Sequence, residues 1–137
     1  MQVPREAVWE TLARAGDYAE WVVGSAGVRA ADPTWPEPGS RFHHSVGIGP
    51  LALRDHTEAL ESRPQELLKL RARARPLATA IVTLELQALD GGTRVLMTEE
   101  LEGPPRLVMA NALGEWLTKA RNGKSLERLE RLAARNA

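Results

Sequence analysis

Four polar residues stand at positions where this sequence builds an apolar sheet face: His44, Asp55, Thr57 and Glu99. A soluble domain seldom turns ionisable groups inward without pairing them or using them. An imidazole beside a carboxylate makes a general base, because the carboxylate fixes the tautomer and raises the basicity. A further inward carboxyl makes an acid. Such a set has the parts needed to remove a proton next to a carbonyl and to protonate a departing oxygen. His44, Asp55 and Glu99 are therefore the candidate catalytic residues. The same groups serve as well to hydrogen-bond the polar end of a mostly apolar ligand. They also serve as plain structure, His44 with Asp55 as a cross-strand pair and Glu99 on a hydroxyl, a backbone amide or an arginine of the terminal helix. All three readings stay open at this level.

The faces themselves follow from alternation, since neighbouring residues on a strand point to opposite sides. Phe42, His44, Val46 and Ile48 share one face. With Gly49-Pro50 as a turn, Leu51, Leu53, Asp55, Thr57 and Ala59 answer on the same side, which sets His44 opposite Asp55. Arg63-Pro64-Gln65 breaks the run. Leu68, Leu70, Ala72 and Ala74 then face inward while Lys69, Arg71, Arg73 and Arg75 face outward, and Pro76 marks the next reversal. Ala78, Ala80, Val82, Leu84 and Leu86 continue the inner face. Asp90-Gly91-Gly92-Thr93 reads as a tight turn, and Val95, Met97 and Glu99 return along it. The pattern predicts five consecutive strands in an antiparallel meander. Three strand steps separate Asp55 from Glu99, about 14 Å on a flat sheet at ~4.8 Å per step, so joint action requires strong curling.

Helices flank the meander. Pro4 suits a helix start, and Val8, Leu12 and Ala13 recur at helical spacing before Gly16. Asp17 is placed to cap a second short helix carrying Tyr18, Trp21 and Val22. The stretch from Asp32 to Gly39 holds three prolines and Trp35, so it is a loop whose large ring is a candidate cover for a cavity mouth. After Gly103-Pro104-Pro105 the chain is rich in Leu, Ala, Arg and Glu and reads as one long helix. Met109, Leu113, Trp116, Leu117 and Ala120 form one stripe, and Leu126, Leu129 and Ala133 lie nearly half a turn round from it. The helix therefore kinks near Asn122-Gly123, or its halves are covered by different partners. Arg121 either reaches into the interior or caps an acidic partner.

At 137 residues, 43% apolar and 26% charged, the chain suits one globular domain spanning 1–137. Eighteen basic and eighteen acidic side chains cancel, so no global field recruits nucleic acid. There is no cysteine, and no apolar run approaches the ~20 residues of a membrane span. A cytoplasmic protein is the expectation. No cofactor is expected. No metal site is expected either: His43 and His56 fall on the outer face, so they cannot converge with His44 on one ion.

The segments Val3-Pro4-Arg5-Glu6-Ala7-Val8-Trp9, Tyr18-Ala19-Glu20-Trp21-Val22, Gly92-Thr93-Arg94-Val95 through Glu99, and Ala120-Arg121-Asn122 with Ser125-Leu126 resemble the START-related polyketide cyclase/dehydrase and lipid-transport superfamily (SRPBCC). The resemblance runs over almost the whole chain. It implies an α+β helix-grip fold, a curled antiparallel sheet around a long C-terminal helix, with a cavity between them for a hydrophobic small molecule such as a lipid, polyketide or aromatic. The implied activities include carriage of such a ligand, polyketide aromatase/cyclase or dehydratase chemistry, and chaperone-activator-like interaction. The expected lining is Trp35, Phe42, His44, Asp55, Thr57, Leu70, Met97, Glu99, Met109, Leu113 and Trp116. The chain departs from the family in one respect: only Met1 to Val3 precede the first helix, so the N-terminal strand that normally pairs beside the last strand is truncated. An upstream start, or a homodimer covering the exposed edge, is the expectation.

Overall fold

A computed structural model describes residues 1–23, 25–48, 51–74, 78–102 and 112–137, with side chains described at all of these except 26, 46–48, 51, 52, 74, 78 and 112–120. Pro4 stands just ahead of the first helix, α1 (Arg5–Leu12), with its ring presetting φ at −65° and Glu6 in the first turn. Ala7, Val8, Thr11 and Leu12 form its buried face, as two adjacent pairs one turn apart. A 3₁₀ turn over Ala15–Asp17 leads into the short α2 (Tyr18–Trp21). Asp17 does not cap α2 as expected. Its backbone is already helical, at φ −70° and ψ −17°, whereas a capping side chain needs an extended residue to reach back over the first turn.

Six antiparallel strands follow, arranged in sequence order: β1 (Ser25–Ala31), β2 (Arg41–Ile48), β3 (Leu51–Arg63), β4 (Leu67–Ala74), β5 (Ala78–Leu89) and β6 (Gly92–Glu102). The five expected strands are β2 to β6, and β1 corrects the count. Its sequence, Ser-Ala-Gly-Val-Arg-Ala-Ala, offers a single large apolar side chain, and shifts in register between Ser25 and Gly27 and again between Val28 and Ala30 break the two-residue alternation that marks a strand. The remaining register is as alternation predicts, apart from a shift between Ala59 and Glu61 where β3 pairs with β4. His44 lies opposite Asp55, Phe42 opposite Thr57, and Leu70 opposite both Ala59 and Val82. Gln65 turns the chain between β3 and β4 at φ 64°, and Asp90-Gly91 turns it between β5 and β6 with Gly91 at φ 81°. The expected turns at Gly49-Pro50 and Pro76 lie outside the described residues.

Apolar residues of α1, α2, the inner sheet face and the terminal helix α3 (Ala112–Asn136) form one buried cluster. The second half of α3 docks on α1 and α2: Leu129, Leu132 and Ala133 are buried, the Ser125 hydroxyl accepts from the Val23 amide at 3.0 Å, and the Asn136 amide donates to Thr11 at 3.3 Å. The second stripe, Leu126, Leu129 and Ala133, thus packs on the core, while the side chains of the first, Met109 to Ala120, lie outside the described residues. Among the described residues, no helix is long and apolar enough to cross a membrane.

The N-terminal residues Met1 to Val3 lie along the start of β6. Met1 and Thr93 exchange two backbone hydrogen bonds of 2.8 Å, and the Thr93 hydroxyl donates to the Val3 carbonyl at 2.6 Å. This explains Gly92, because a Cβ there would run into the Met1 carbonyl. Beyond Thr93, β6 pairs only with β5 among the described residues, and Leu96 and Leu101 are exposed on it.

Candidate functional site

The inner face carries two polar centres on separate strands. The first spans β2 and β3, where His44, Asp55 and Thr57 are all buried, only 4–7% exposed. Phe42 sits one inward position before His44, with ring centres 5.7 Å apart. Behind Phe42, Tyr18 and Trp35 pack at 4.7 Å each. Both of their polar atoms are anchored on the same acceptor, the Leu12 carbonyl, at 2.8 Å from the phenol and 3.1 Å from the indole. Trp35 is buried as the edge of this aromatic wall. Its ring braces Phe42 rather than standing at the surface as a cover, since an indole with both its face and its N–H satisfied gains by full burial.

Asp55 and His44 are cross-strand partners, yet one carboxylate oxygen of Asp55 hooks back along its own strand. It accepts from the His56 amide at 2.9 Å and lies 3.5 Å from Nδ1 of His56. Burial holds the His44 imidazole below the ordinary histidine range, outweighing the upward pull of its hydrogen bond with the His56 backbone and of the Asp55 charge. The expected gain in basicity is therefore reversed by desolvation. His44 is kept neutral, and its Nε2 is buried with no hydrogen-bond partner among the described residues. Arg29 of β1 ties the two strands from outside, donating to the carbonyls of His44 and Asp55 at 3.4 Å each.

The floor beside this centre is small. The row that starts at Phe42 and Thr57 continues through Ala72 on β4 and Ala80 on β5, and the next row begins at Ala59. Methyl groups at these positions fill less volume beside His44 than Leu70, Val82 and Leu84 do farther along the face.

Glu99 forms the second centre, three strands away, opposite Val82. It is not free to join His44. Arg121 of α3 donates to both its oxygens at 2.9 and 3.1 Å, and Asn122 adds a bond of 2.7 Å. The carboxylate thus clamps the long helix to β6, the structural role weighed for it, and both oxygens are engaged as acceptors. Met97 lies two residues earlier on the same face, packed against the core beside Leu84. Met109 lies outside the described residues, as do the side chains of Leu113 and Trp116. Asn122 as a Glu99 ligand and the alanine floor went unremarked in the sequence; an amide one residue after Arg121, and the run Ala72, Ala74, Ala78, Ala80, were the available signals. Among the described residues, no group of three His, Asp or Glu side chains is disposed to hold a metal ion.

A family model described as polyketide cyclase / dehydrase and lipid transport matches residues 1–134. The chain belongs to that family. Among curated proteins none matches the chain. Solved structures share its fold at low identity. Protein NE0264 from Nitrosomonas europaea is 20% identical, with a TM-score of 0.75 over 100% of this chain and 91% of that one. Protein CV1439 from Chromobacterium violaceum is 18% identical, with a TM-score of 0.71 over 97% and 91%. The Zhui aromatase/cyclase from Streptomyces sp. R1128 is 15% identical, with a TM-score of 0.72 over 98% and 88%. These likenesses confirm the α+β helix-grip fold for this member of the polyketide cyclase / dehydrase and lipid transport family.

Proposed function

We propose that residues 1–137 act as one cytoplasmic domain that takes up a hydrophobic small molecule between the inner sheet face and α3. The observation that carries this reading is the buried, unpartnered Nε2 of His44 beside a floor of alanines. A buried polar atom left unpaired costs about 1–3 kcal/mol, a cost relieved when a ligand group hydrogen-bonds it. The small side chains of that floor support the same reading. An empty apolar cavity costs roughly 24 cal/mol per Å³, so about 300 Å³ of void would cost about 7 kcal/mol, as much as many domains' whole stability. In this account His44 meets the ligand's polar end with Asp55 and Thr57 beside it. Phe42, Leu70 and Met97 contact its apolar body, and Trp35 and Glu99 hold the walls. Titration with the neutral fluorescent probe N-phenyl-1-naphthylamine tests it. Saturable enhancement that is lost in His44→Leu supports uptake here; no enhancement, or uptake unchanged in the variant, overturns it.

The neutral imidazole favours one further reading, a cofactor-independent polyketide cyclase/dehydratase. His44 Nε2 takes a proton next to a carbonyl, the resulting enolate carbon bonds to a second carbonyl carbon, and the new alkoxide is protonated before water departs. Turnover of a poly-β-ketone thioester that is abolished in His44→Gln while probe uptake persists supports it. For the bare edge of β6, we propose pairing with a second copy, supported by the exposed Leu96 and Leu101. Light scattering that reads a single-chain mass overturns that pairing.

A further inference from the structure

A second site is built on the far half of α3. Arg128, Arg131 and Arg135 follow one another at three- and four-residue steps, so they share one side of the helix. With Leu132 and with Glu20 of α2 they line a surface cleft of about 520 Å³. Four other arginines are matched to acids, Arg41 to Glu58, Arg63 to Glu61, Arg71 to Glu58 and Glu102, and Arg121 to Glu99, whereas Arg5, Arg14, Arg54, Arg73 and Arg94 stand apart along the chain with no ion pair among the described residues. The three in the cleft have no hydrogen bond or ion pair among the described residues.

A helix C-terminus attracts cations, and that accounts for Arg135 in the last turn. It does not account for Arg128, two turns earlier, because the helix-end field fades within one turn. Like charges at these steps destabilise a helix by about 0.2–0.5 kcal/mol per pair, and Glu127, four residues before Arg131, offsets one such pair and leaves the other. The floor, Leu132, is buried, which lets the arginine stems lie on apolar surface with their guanidinium forks at the rim. Glu20 lines the cleft, and Asp17 beside it feels the charges of Arg14 and Arg135, so two acids face the three arginines. None of these residues belongs to the His44 centre.

We propose that this cleft binds a phosphoryl dianion, carried on a soluble phosphate ester or on a lipid headgroup. Planar guanidinium forks match two phosphoryl oxygens at once, and several forks converging from one helix face match a doubly charged group better than a carboxylate. Glu20 opposes a bare phosphate and accepts from a hydroxyl or ammonium on a ligand that carries one.

The test follows backbone amide NMR signals during titration with inorganic phosphate and with glycerol phosphate, alongside sedimentation with phosphatidylcholine vesicles with and without phosphatidic acid. Saturable shifts at 128–135 and at Glu20 are expected, weakened at least about tenfold in Arg131→Ala/Arg135→Ala, since each lost charge-assisted bond is worth about a factor of ten. Glu20→Gln is expected to bind inorganic phosphate more tightly, which keeps the proposal decidable if the double variant unfolds. Co-sedimentation that requires both phosphatidic acid and the arginines assigns the headgroup; phosphate binding without co-sedimentation assigns the soluble ester. If neither probe binds, if the double variant binds as well as the wild type, or if Glu20→Gln weakens phosphate binding, the proposal fails.

Discussion

Replacing His44 by Leu separates a histidine that completes the fold from one held in readiness for something else. If the imidazole were a satisfied structural partner, its loss would leave a buried acceptor or donor behind and cost about 1–3 kcal/mol. Here Leu gives up the imidazole's hydrogen bond with the His56 backbone, worth about 0.5–1.5 kcal/mol, but replaces Nε2, an atom with no partner among the described residues, with apolar surface of similar volume. That gain offsets the lost ring contact with Phe42, worth about 0.5–1.5 kcal/mol. The expected net change near neutral pH is within about 1 kcal/mol of zero. The pH dependence sharpens the test. Burial depresses the His44 pKa in the folded protein, so the unfolded chain binds the proton more readily. Stability is complete above the unfolded value of about 6.5 and declines as pH falls below it, with a slope of at most about 1.4 kcal/mol per pH unit for one proton. The variant lacks this slope. Urea denaturation followed by tryptophan fluorescence at about pH 7.5 and about pH 5.5 should show Leu gaining on the wild type by up to about 1.4 kcal/mol at the lower pH. Groups common to both proteins cancel in the difference. Parallel stability curves, or a loss beyond about 2 kcal/mol at the higher pH, would refute the reasoning.

Further outcomes follow from the same contacts. Arg121→Ala removes two bonds to a nearly buried carboxylate but a half-exposed cation, and is expected to cost about 1–2 kcal/mol; a double-mutant cycle with Glu99→Gln should recover most of it as coupling. Leu129→Ala, at a fully buried position joining α3 to α1 and α2, should lower unfolding free energy by about 2–5 kcal/mol in denaturant melts. Gly92→Ala should release the N-terminal residues from β6, seen as faster amide exchange at Thr93 and Val3 with the rest of the sheet unchanged.

Strands β2 to β6 were legible because one face of each is buried against a shared core, and burial on one side writes itself as strict alternation. That rule even set His44 opposite Asp55. It failed at β1, where small residues and two register shifts erase the period. The polar centre was legible as four residue types on an apolar face, but its division into two was not. Side-chain direction is decided by local competition: Asp55 turns to the amide of His56, and Glu99 is taken by Arg121 and Asn122 from more than twenty residues away. The protonation of His44 was misread for a related reason. A sequence shows a neighbouring charge, whereas desolvation depends on everything packed around the ring.

The account rests on an apolar ligand meeting Nε2 of His44 inside the helix grip. Native mass spectrometry of the protein isolated from its own cells without denaturation tests this most directly. The prediction is a retained apolar compound of low mass on the wild-type protein that is absent from His44→Leu isolated in the same way. Recovery of the bare polypeptide mass from the wild type, or equal retention by the variant, would contradict it.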